Sequence, residues 1–183
     1  PVITQPDTTG TVDFTAVTPK LALGFASSED TNWFLSYSRG FRPGGLTQIG
    51  SDPSQPPLFA YDPEFSNNFE IGVKNYFNEH RIRWNVAVFF SGISDVQVPA
   101  LILPDAIVIT SNAGDVTSYG IESEFTALLG RNLTFDWNFG YTNATYDDLI
   151  LPGEDGETDY SGNNQIFTPE YTSFVALEYT PNF

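Results

Sequence analysis

The chain has 183 residues, with 23 acidic and 7 basic side chains, so its formal net charge at pH 7 is −16. It has no cysteine and a single histidine, which excludes a disulfide framework and a multi-histidine metal site, and its negative charge argues against nucleic acid as a partner. Hydrophobic residues make up 40% of the chain and aromatic residues 15%, which excludes a disordered low-complexity chain, and no apolar run is long enough for a membrane-spanning helix.

Seven segments alternate between apolar and polar residues with a period of two, and helical periodicity is weak throughout. Because successive side chains of a strand point to opposite faces, each segment predicts a strand with one apolar face. In chain order the predicted strands are Lys20–Ala26, Asn32–Phe41, Phe65–Phe77, Arg81–Phe90, Tyr119–Leu129, Asn132–Tyr146 and Tyr171–Thr180. Their lengths are near the roughly 9–11 residues with which a tilted strand crosses a bilayer. The predicted fold class is all-β, and Phe34 and Phe89 interrupt the alternation.

The predicted connections alternate between short and long. Short polar turns lie at Ser27–Thr31, Asn78–His80 and Gly130–Asn132, and long loops lie at about Arg42–Glu64, Pro99–Ser118 and Asp147–Pro169. Short connections at one edge and long ones at the other are typical of outer-membrane barrels, and aromatic residues border the strands at both ends as interfacial girdles do. The sequence therefore predicts an antiparallel up-and-down transmembrane β-barrel segment of about seven strands.

The alternation also assigns the side chains to two faces. The face expected to contact lipid, together with its girdles, carries Trp33, Tyr37, Phe77, Trp84, Leu133, Phe135, Trp137, Phe139 and Tyr141. The face expected to line the lumen carries the charged residues Glu70, Lys74, Arg81, Arg83, Glu122, Glu124 and Asp136. Because an unpaired charge away from bulk water is costly, Glu122 and Glu124 are expected to form ion pairs with the basic residues of that face.

The register of the hairpins follows from the same pattern, since a one-residue slip would turn every side chain to the other face. The first and last predicted hairpins join apolar sets of the same parity, so their loops must contain an odd number of residues. The hairpin at Asn78–His80 joins sets of opposite parity, so its loop must contain an even number, and two are expected. The expected cross-strand pairs are Phe25 with Trp33, Phe125 with Trp137, Val73 with Val86 and Ile71 with Val88.

Six motifs follow one another along the chain. They are YSRGFRPGG at 37–45, YDPE at 61–64 with NFEIGVK at 68–74, RWNVAVFF at 83–90 with DVQ at 95–97, NAG at 112–114 with SYGIESE at 118–124, GYTNATY at 140–146, and TPEY at 168–171. In this order they make the sequence similar to the TonB-dependent outer-membrane receptor family, over about Thr18 to Pro181.

The resemblance implies a 22-stranded barrel with a plugged lumen, which captures a scarce chelate such as an iron–siderophore complex, cobalamin or a glycan. It implies an outer membrane of a Gram-negative bacterium, with the long loops extracellular and the short turns periplasmic. Residues 1–183 are then expected to be a partial barrel domain without the plug domain and without the TonB box. The implied partners are outer-membrane lipid, the chelate or glycan, and the TonB complex through the missing N-terminal part.

No constellation of residues indicates catalysis, a resident metal or a cofactor, so the chain is not expected to be an enzyme. His80 lies in a polar turn and is expected to be a solvated residue rather than a base. The acidic segment 147–165 offers oxygen ligands for Ca²⁺ but lacks the EF-hand spacing, so a solvated loop is favoured. Arg42, near the outer rim, is the candidate contact for an anionic substrate.

Two other protein classes share the alternation. A passive porin or structural barrel has the same wall, and a plug with a TonB box in the whole protein would distinguish a receptor from it. A soluble β-sandwich binding module would instead pack its apolar faces against each other. A second sheet over Leu133, Phe135, Trp137 and Phe139 would therefore exclude the membrane interpretation.

Overall fold

The computed structural model describes residues 10–48, 58–102, 107–153 and 156–181, and all regular secondary structure in them is β-strand. The strands are β1 (Lys20–Ala26), β2 (Thr31–Arg42), β3 (Gly45–Gln48), β4 (Leu58–Tyr61), β5 (Glu64–Phe77), β6 (Ile82–Ser94), β7 (Gln97–Ile102), β8 (Ile107–Asn112), β9 (Gly114–Leu128), β10 (Leu133–Gly153), β11 (Gly156–Asp159) and β12 (Tyr171–Tyr179). No helix in the described part of the chain has the length and apolarity needed to cross a membrane.

Seven strands form one antiparallel wall in the order β1-β2-β5-β6-β9-β10-β12. These are the seven strands that the alternation predicts, and the all-β fold class is confirmed. The predicted bounds of β1 are met at both ends, whereas β6, β9 and β10 extend beyond prediction at the edge of the wall that carries the long connections. We call that edge the long-loop end, and the opposite edge, with its three short turns, the short-turn end.

The register of the wall follows the predicted parity. Phe25 faces Trp33, Phe125 faces Trp137, Val73 faces Val86 and Ile71 faces Val88, as expected. Residues 78–81 separate the last pair of β5 and β6, so this loop has an even number of residues but holds four rather than two. Three successive residues of this turn, Asn78 to His80, have left-handed backbone conformations with φ values of 53° to 63°, and none of them is glycine.

Three further hairpins lie in regions that the sequence predicts to be loops. β3 pairs with β4, β7 pairs with β8, and the extension of β10 pairs with β11. The prediction of loops is wrong for these strands, because short hairpins beyond the wall have no single buried face to mark them by alternation. The parts of those loops at 49–57, 103–106 and 154–155 lie outside the described residues.

The wall is a single layer with little core. The accessible surface of the whole chain is 12731 Å², against about 8,800 Å² for a compact soluble protein of this mass. No second sheet of the described residues covers the predicted apolar face of β10, which excludes the β-sandwich alternative. Within the same residues β1 pairs only with β2, and β12 pairs only with β10, so both edges of the wall are open.

Candidate functional site

One face of the wall, which we call the aromatic face, collects all the residues predicted to contact lipid or to form girdles. Residues that face each other across paired strands share a face, and by this criterion the aromatic face carries Trp33, Tyr37, Phe77, Trp84, Leu133, Phe135, Trp137, Phe139 and Tyr141. The face is exposed, with Phe25 66% and Leu177 64% accessible. Its rings contact each other across strands, with 4.8 Å between the centroids of Tyr37 and Phe69.

Two of the three tryptophan indoles donate a hydrogen bond to a serine on the aromatic face. Trp84 Nε1 donates to Ser123 Oγ at 2.9 Å, and Trp137 Nε1 donates to Ser173 Oγ at 3.2 Å. In both cases the serine lies diagonally across the neighbouring strand, two residues from the tryptophan's direct partner. The serines therefore satisfy the polar atom of a ring that otherwise contacts an apolar surface.

The opposite face, which we call the polar face, carries six of the seven charged residues predicted to line a lumen. They are Glu70, Lys74, Arg83, Glu122, Glu124 and Asp136. The seventh, Arg81, lies in the turn between β5 and β6 at the short-turn end. Its guanidinium donates to the carbonyl oxygens of Leu128 and Gly130 at 3.0 and 3.4 Å. Arg81 therefore fastens two turns of the wall to each other.

The ion pairs expected on the polar face are not formed among the described residues. Glu124 Oε2 accepts a hydrogen bond from Asn85 Nδ2 at 3.1 Å, and Arg83 donates to Thr126 Oγ1 at 3.4 Å. The register explains the difference, because Lys74 faces Asn85 and Asn85 in turn faces Glu124. Lys74 and Glu124 are thus two strands apart, roughly 10 Å between backbones.

A recess of about 340 Å³ lies in the middle of the polar face. It is lined by Phe34, Glu70, Lys74, Asn85, Val86, Ala87, Glu122 and Glu124. Three carboxylates against one ammonium group give it an excess of negative charge. The ammonium lies 5.6 Å from the centre of the Phe34 ring, so the ring shares in holding the lysine. The recess is therefore a polar surface suited to cationic or hydrogen-bonding groups.

The two aromatic residues that interrupt the alternation each cover a glycine on the polar face. Phe34 faces Gly72, and Phe89 faces Gly120. A β-carbon on Gly72 would lie 2.5 Å from Phe34 Cζ, and one on Gly120 would lie 2.6 Å from Phe89 Cζ. The rings therefore lie flat on the sheet in space that only glycine leaves free.

Arg42, the predicted substrate contact, lies at the long-loop end. It is the register partner of Glu64, and its guanidinium is 3.7 Å from Glu64 Oε2. Its side chain is nevertheless 63% exposed, whereas that of Glu64 is 19% exposed. The pair therefore anchors the base of the loop and leaves most of the Arg42 side chain accessible.

Two amide side chains join the connection between β2 and β5 to the connection between β6 and β9. Gln97 is 7% exposed; its Nε2 donates to the carbonyl oxygens of Pro43 and Asp62 at 2.9 and 3.1 Å, and its backbone N–H donates to Glu64 Oε2 at 2.9 Å. Asn112 Nδ2 donates to the Asp62 carbonyl at 2.9 Å, and the Asp62 N–H donates to Asn112 Oδ1 at 2.6 Å. We call Pro43, Asp62, Glu64, Gln97 and Asn112 the clasp.

The sequence-based prediction of site residues does not include Gln97 or Asn112. The signal for both is their position within the DVQ and NAG motifs, and Gln97 is a polar residue between two valines. A buried amide in such a place must have hydrogen-bond partners. Those partners come from segments more than 30 residues away, so the sequence does not reveal them.

The acidic segment beyond β10 is held by local hydrogen bonds. The hydroxyl and the backbone N–H of Ser161 donate to Asp159, which lowers the pKa of that carboxyl below its ordinary value, and the N–H distance is 2.8 Å. The described residues contain no group of three or more acidic, cysteine or histidine side chains that could hold a metal. Glu154 and Asp155, part of the predicted Ca²⁺ candidate at 147–165, lie outside the described residues.

His80 lies at the short-turn end, away from the recess and the clasp. Its Nε2 is 3.0 Å from Asp30 Oδ1, and its ring centre is 5.2 Å from that of Tyr76. The side chain is 66% exposed. This arrangement joins two neighbouring turns and fits the expected solvated residue.

A family model decides between the classes of barrel. The model for the TonB dependent receptor-like β-barrel matches residues 3–183 of the chain. The chain belongs to the TonB-dependent receptor family. The resemblance carried by the six motifs is thereby confirmed.

Proteins similar to this TonB-dependent receptor chain include named metal-chelate receptors. The metal-pseudopaline receptor CntO of Pseudomonas aeruginosa is 25% identical over 140 residues, 75% of this chain and 18% of the relative. The ferric yersiniabactin uptake receptor FyuA of Yersinia pestis has a TM-score of 0.70 at 20% identity, over 90% of this chain and 23% of that one. The siderophore receptor PiuA of Acinetobacter baumannii has a TM-score of 0.66 at 18% identity, over 87% and 23%.

The chain spans about a fifth of the length of these relatives. The structural likeness, at 20% identity or less, shows that the wall has the fold of such a receptor barrel. The family consists of receptors and transporters rather than enzymes.

Proposed function

We propose that the chain is part of the barrel wall of an outer-membrane receptor for TonB-dependent uptake of a metal chelate. A siderophore-type complex is favoured over cobalamin or a glycan, because the relatives are named as receptors for metal–pseudopaline and ferric yersiniabactin. The observation that carries the proposal is the match of the TonB dependent receptor-like β-barrel model to residues 3–183. The two-faced wall, with an exposed aromatic face and a charged polar face, supports it.

The full-length protein in its native host tests this function. Deleting its gene is expected to reduce growth under metal limitation, and uptake of a radiolabelled metal chelate should fall with it. Uptake should also stop when TonB is deleted or a protonophore is added. Uptake that persists without TonB would identify a passive porin, the second class that shares this wall.

The assignment of the two faces is a separate proposal: the aromatic face contacts lipid and the polar face lines the lumen. The chain has no cysteine, so single cysteines report cleanly on each face. In the membrane-embedded protein, Ser36→Cys on the polar face should react with a water-soluble maleimide, whereas Leu35→Cys on the aromatic face should not. The neighbouring positions make each variant the control of the other, and reversed labelling would refute the assignment.

Arg42 is proposed to contact an anionic chelate at the extracellular rim. Replacing the exposed guanidinium by Arg42→Gln is expected to weaken chelate binding about ten- to a hundredfold, since charge-assisted hydrogen bonds contribute roughly 1.5–3 kcal/mol. Arg39→Gln is the matched control, because Arg39 stacks on the Phe65 ring at 4.4 Å on the aromatic face. Equal effects of the two variants on the dissociation constant would exclude a direct role for Arg42.

A further inference from the structure

The clasp joins two hairpins that are distant in sequence. The β3–β4 hairpin is inserted between β2 and β5, and the β7–β8 hairpin is inserted between β6 and β9. The side-chain bonds of Gln97 and Asn112 cross between these insertions over 35 to 54 residues. A further bond links them away from the clasp, since the Thr110 N–H donates to Thr47 Oγ1 at 3.2 Å. Strand β8 also packs against β3 and β4.

We infer that the clasp couples the two hairpins into one cooperative unit, with Gln97 as its positioning residue. An isolated two-stranded hairpin is at best marginally stable, so each of these short hairpins depends on the other. Gln97 uses both N–H groups of its amide on carbonyl oxygens of the neighbouring insertion, and it does so while buried. Any opening between the hairpins therefore leaves several polar groups without partners at once.

A ligand or antibody that contacts one hairpin therefore orders both. Four of the six motifs contribute hydrogen-bonding groups to the clasp: Pro43, Asp62, Glu64, Gln97 and Asn112 come from these motifs and meet in one network. The inference concerns the described hairpins alone and does not depend on the proposed transport function.

Residue-resolved amide hydrogen exchange in the full-length protein, reconstituted in lipid nanodiscs, tests the inference. Gln97→Leu keeps the approximate size of the side chain and removes both donors. It is expected to accelerate exchange of the Asp62 and Thr110 amides by the same factor, about tenfold or more, because both amides bond across the hairpins. The Thr110 amide is decisive, since its acceptor is Thr47 and not a clasp residue.

Asn68→Leu is the matched control. Asn68 is a half-buried amide with three hydrogen bonds within the wall, and none of them joins the two hairpins. Its replacement should leave the Thr110 amide within about twofold of the wild type. Unchanged exchange of Thr110 in Gln97→Leu, unequal factors at Asp62 and Thr110, or an equal effect of Asn68→Leu would overturn the inference.

Asn112→Ala provides a second route if Gln97→Leu does not assemble. It removes the bonds to Asp62 and the bond to the Asp95 carbonyl, and it leaves the Gln97 side chain in place. The Thr110 and Gln97 amides should then exchange faster together, by a common factor, since the first bonds to Thr47 of the other hairpin and the second to Glu64 of the clasp. Acceleration of one without the other would show two independent hairpins.

Discussion

The Phe34 ring packs so closely on Gly72 that a methyl group added at Gly72 would clash with it. The change Gly72→Ala would place a β-carbon 2.5 Å from two atoms of the Phe34 ring. We expect it to lower the free energy of unfolding by about 1–3 kcal/mol through overpacking. Denaturant unfolding in detergent, monitored by the gel mobility of heated and unheated samples, measures the change in the free energy of unfolding.

Gly24→Ala is the control for this prediction. Gly24 faces Phe34 from the other side, and its nearest neighbour to an added β-carbon is the Trp33 carbonyl oxygen at 3.9 Å. Removing a glycine from a strand without a clash should be neutral or stabilising by up to about 1 kcal/mol. A similar loss of stability in both variants would show that the ring does not require the glycine.

The serine partners of the tryptophans give a second residue-scale prediction. Ser123→Ala leaves the Trp84 indole N–H without its acceptor on an apolar face. The expected loss of stability is about 0.5–2 kcal/mol, since the polar atom then contacts only apolar groups. Ser36→Ala, on the polar face, should cost less than about 0.5 kcal/mol. The two unfolding free energies are compared in the same detergent, and equal values would contradict the prediction.

At the scale of elements, the four-residue turn between β5 and β6 fixes the register of both strands. Deleting Glu79 alone would leave an odd loop and turn every side chain of one strand to the wrong face. We expect the single deletion to abolish assembly in the outer membrane. Deleting both Glu79 and His80 restores an even loop and should assemble to a substantial extent. Heat-modifiable gel mobility and outer-membrane fractionation measure assembly. A single deletion that assembled as well as the double deletion would contradict the prediction.

The wall strands could be predicted because a membrane barrel and a sheet both require each strand to have one apolar face. Every wall strand has one apolar face, and this face both marks the strand and fixes its register, as in the pairs Ile71 with Val88 and Phe125 with Trp137. The short hairpins β3–β4 and β7–β8 lack such a face. Their stability comes from the clasp, whose partners are brought together only by the completed wall.

For the charged residues of the wall, the sequence predicts the face but not the interaction partner. Their faces follow from parity, which places Lys74 and Glu124 on the same face correctly. Which charge meets which depends on the stagger of several strands and on the polar residue between them, here Asn85. The ion-pair prediction is wrong because the distance between Lys74 and Glu124 depends on the alignment of three strands. The sequence pattern of two strands does not determine that alignment.

At the scale of the whole molecule, the exposed aromatic face and the two open edges predict poor solubility. The isolated 183-residue chain is expected to aggregate in water, because a large apolar surface and unpaired strand edges promote self-association. Sedimentation in buffer, compared with the same chain in detergent micelles, measures this. A monomeric chain that unfolds cooperatively without detergent would contradict the prediction.

Strand β10 is 21 residues long, which corresponds to about 70 Å of extended chain. Tilted by about 40–45°, it rises roughly 50 Å, twice the apolar band of about 25 Å that an outer-membrane barrel needs. In the proposed orientation, about half of this strand extends beyond the lipid on the extracellular side, as a continuation of the wall. A molecule arriving from outside would thus first meet backbone already held in a hydrogen-bonded ladder, well before it reached the level of the membrane.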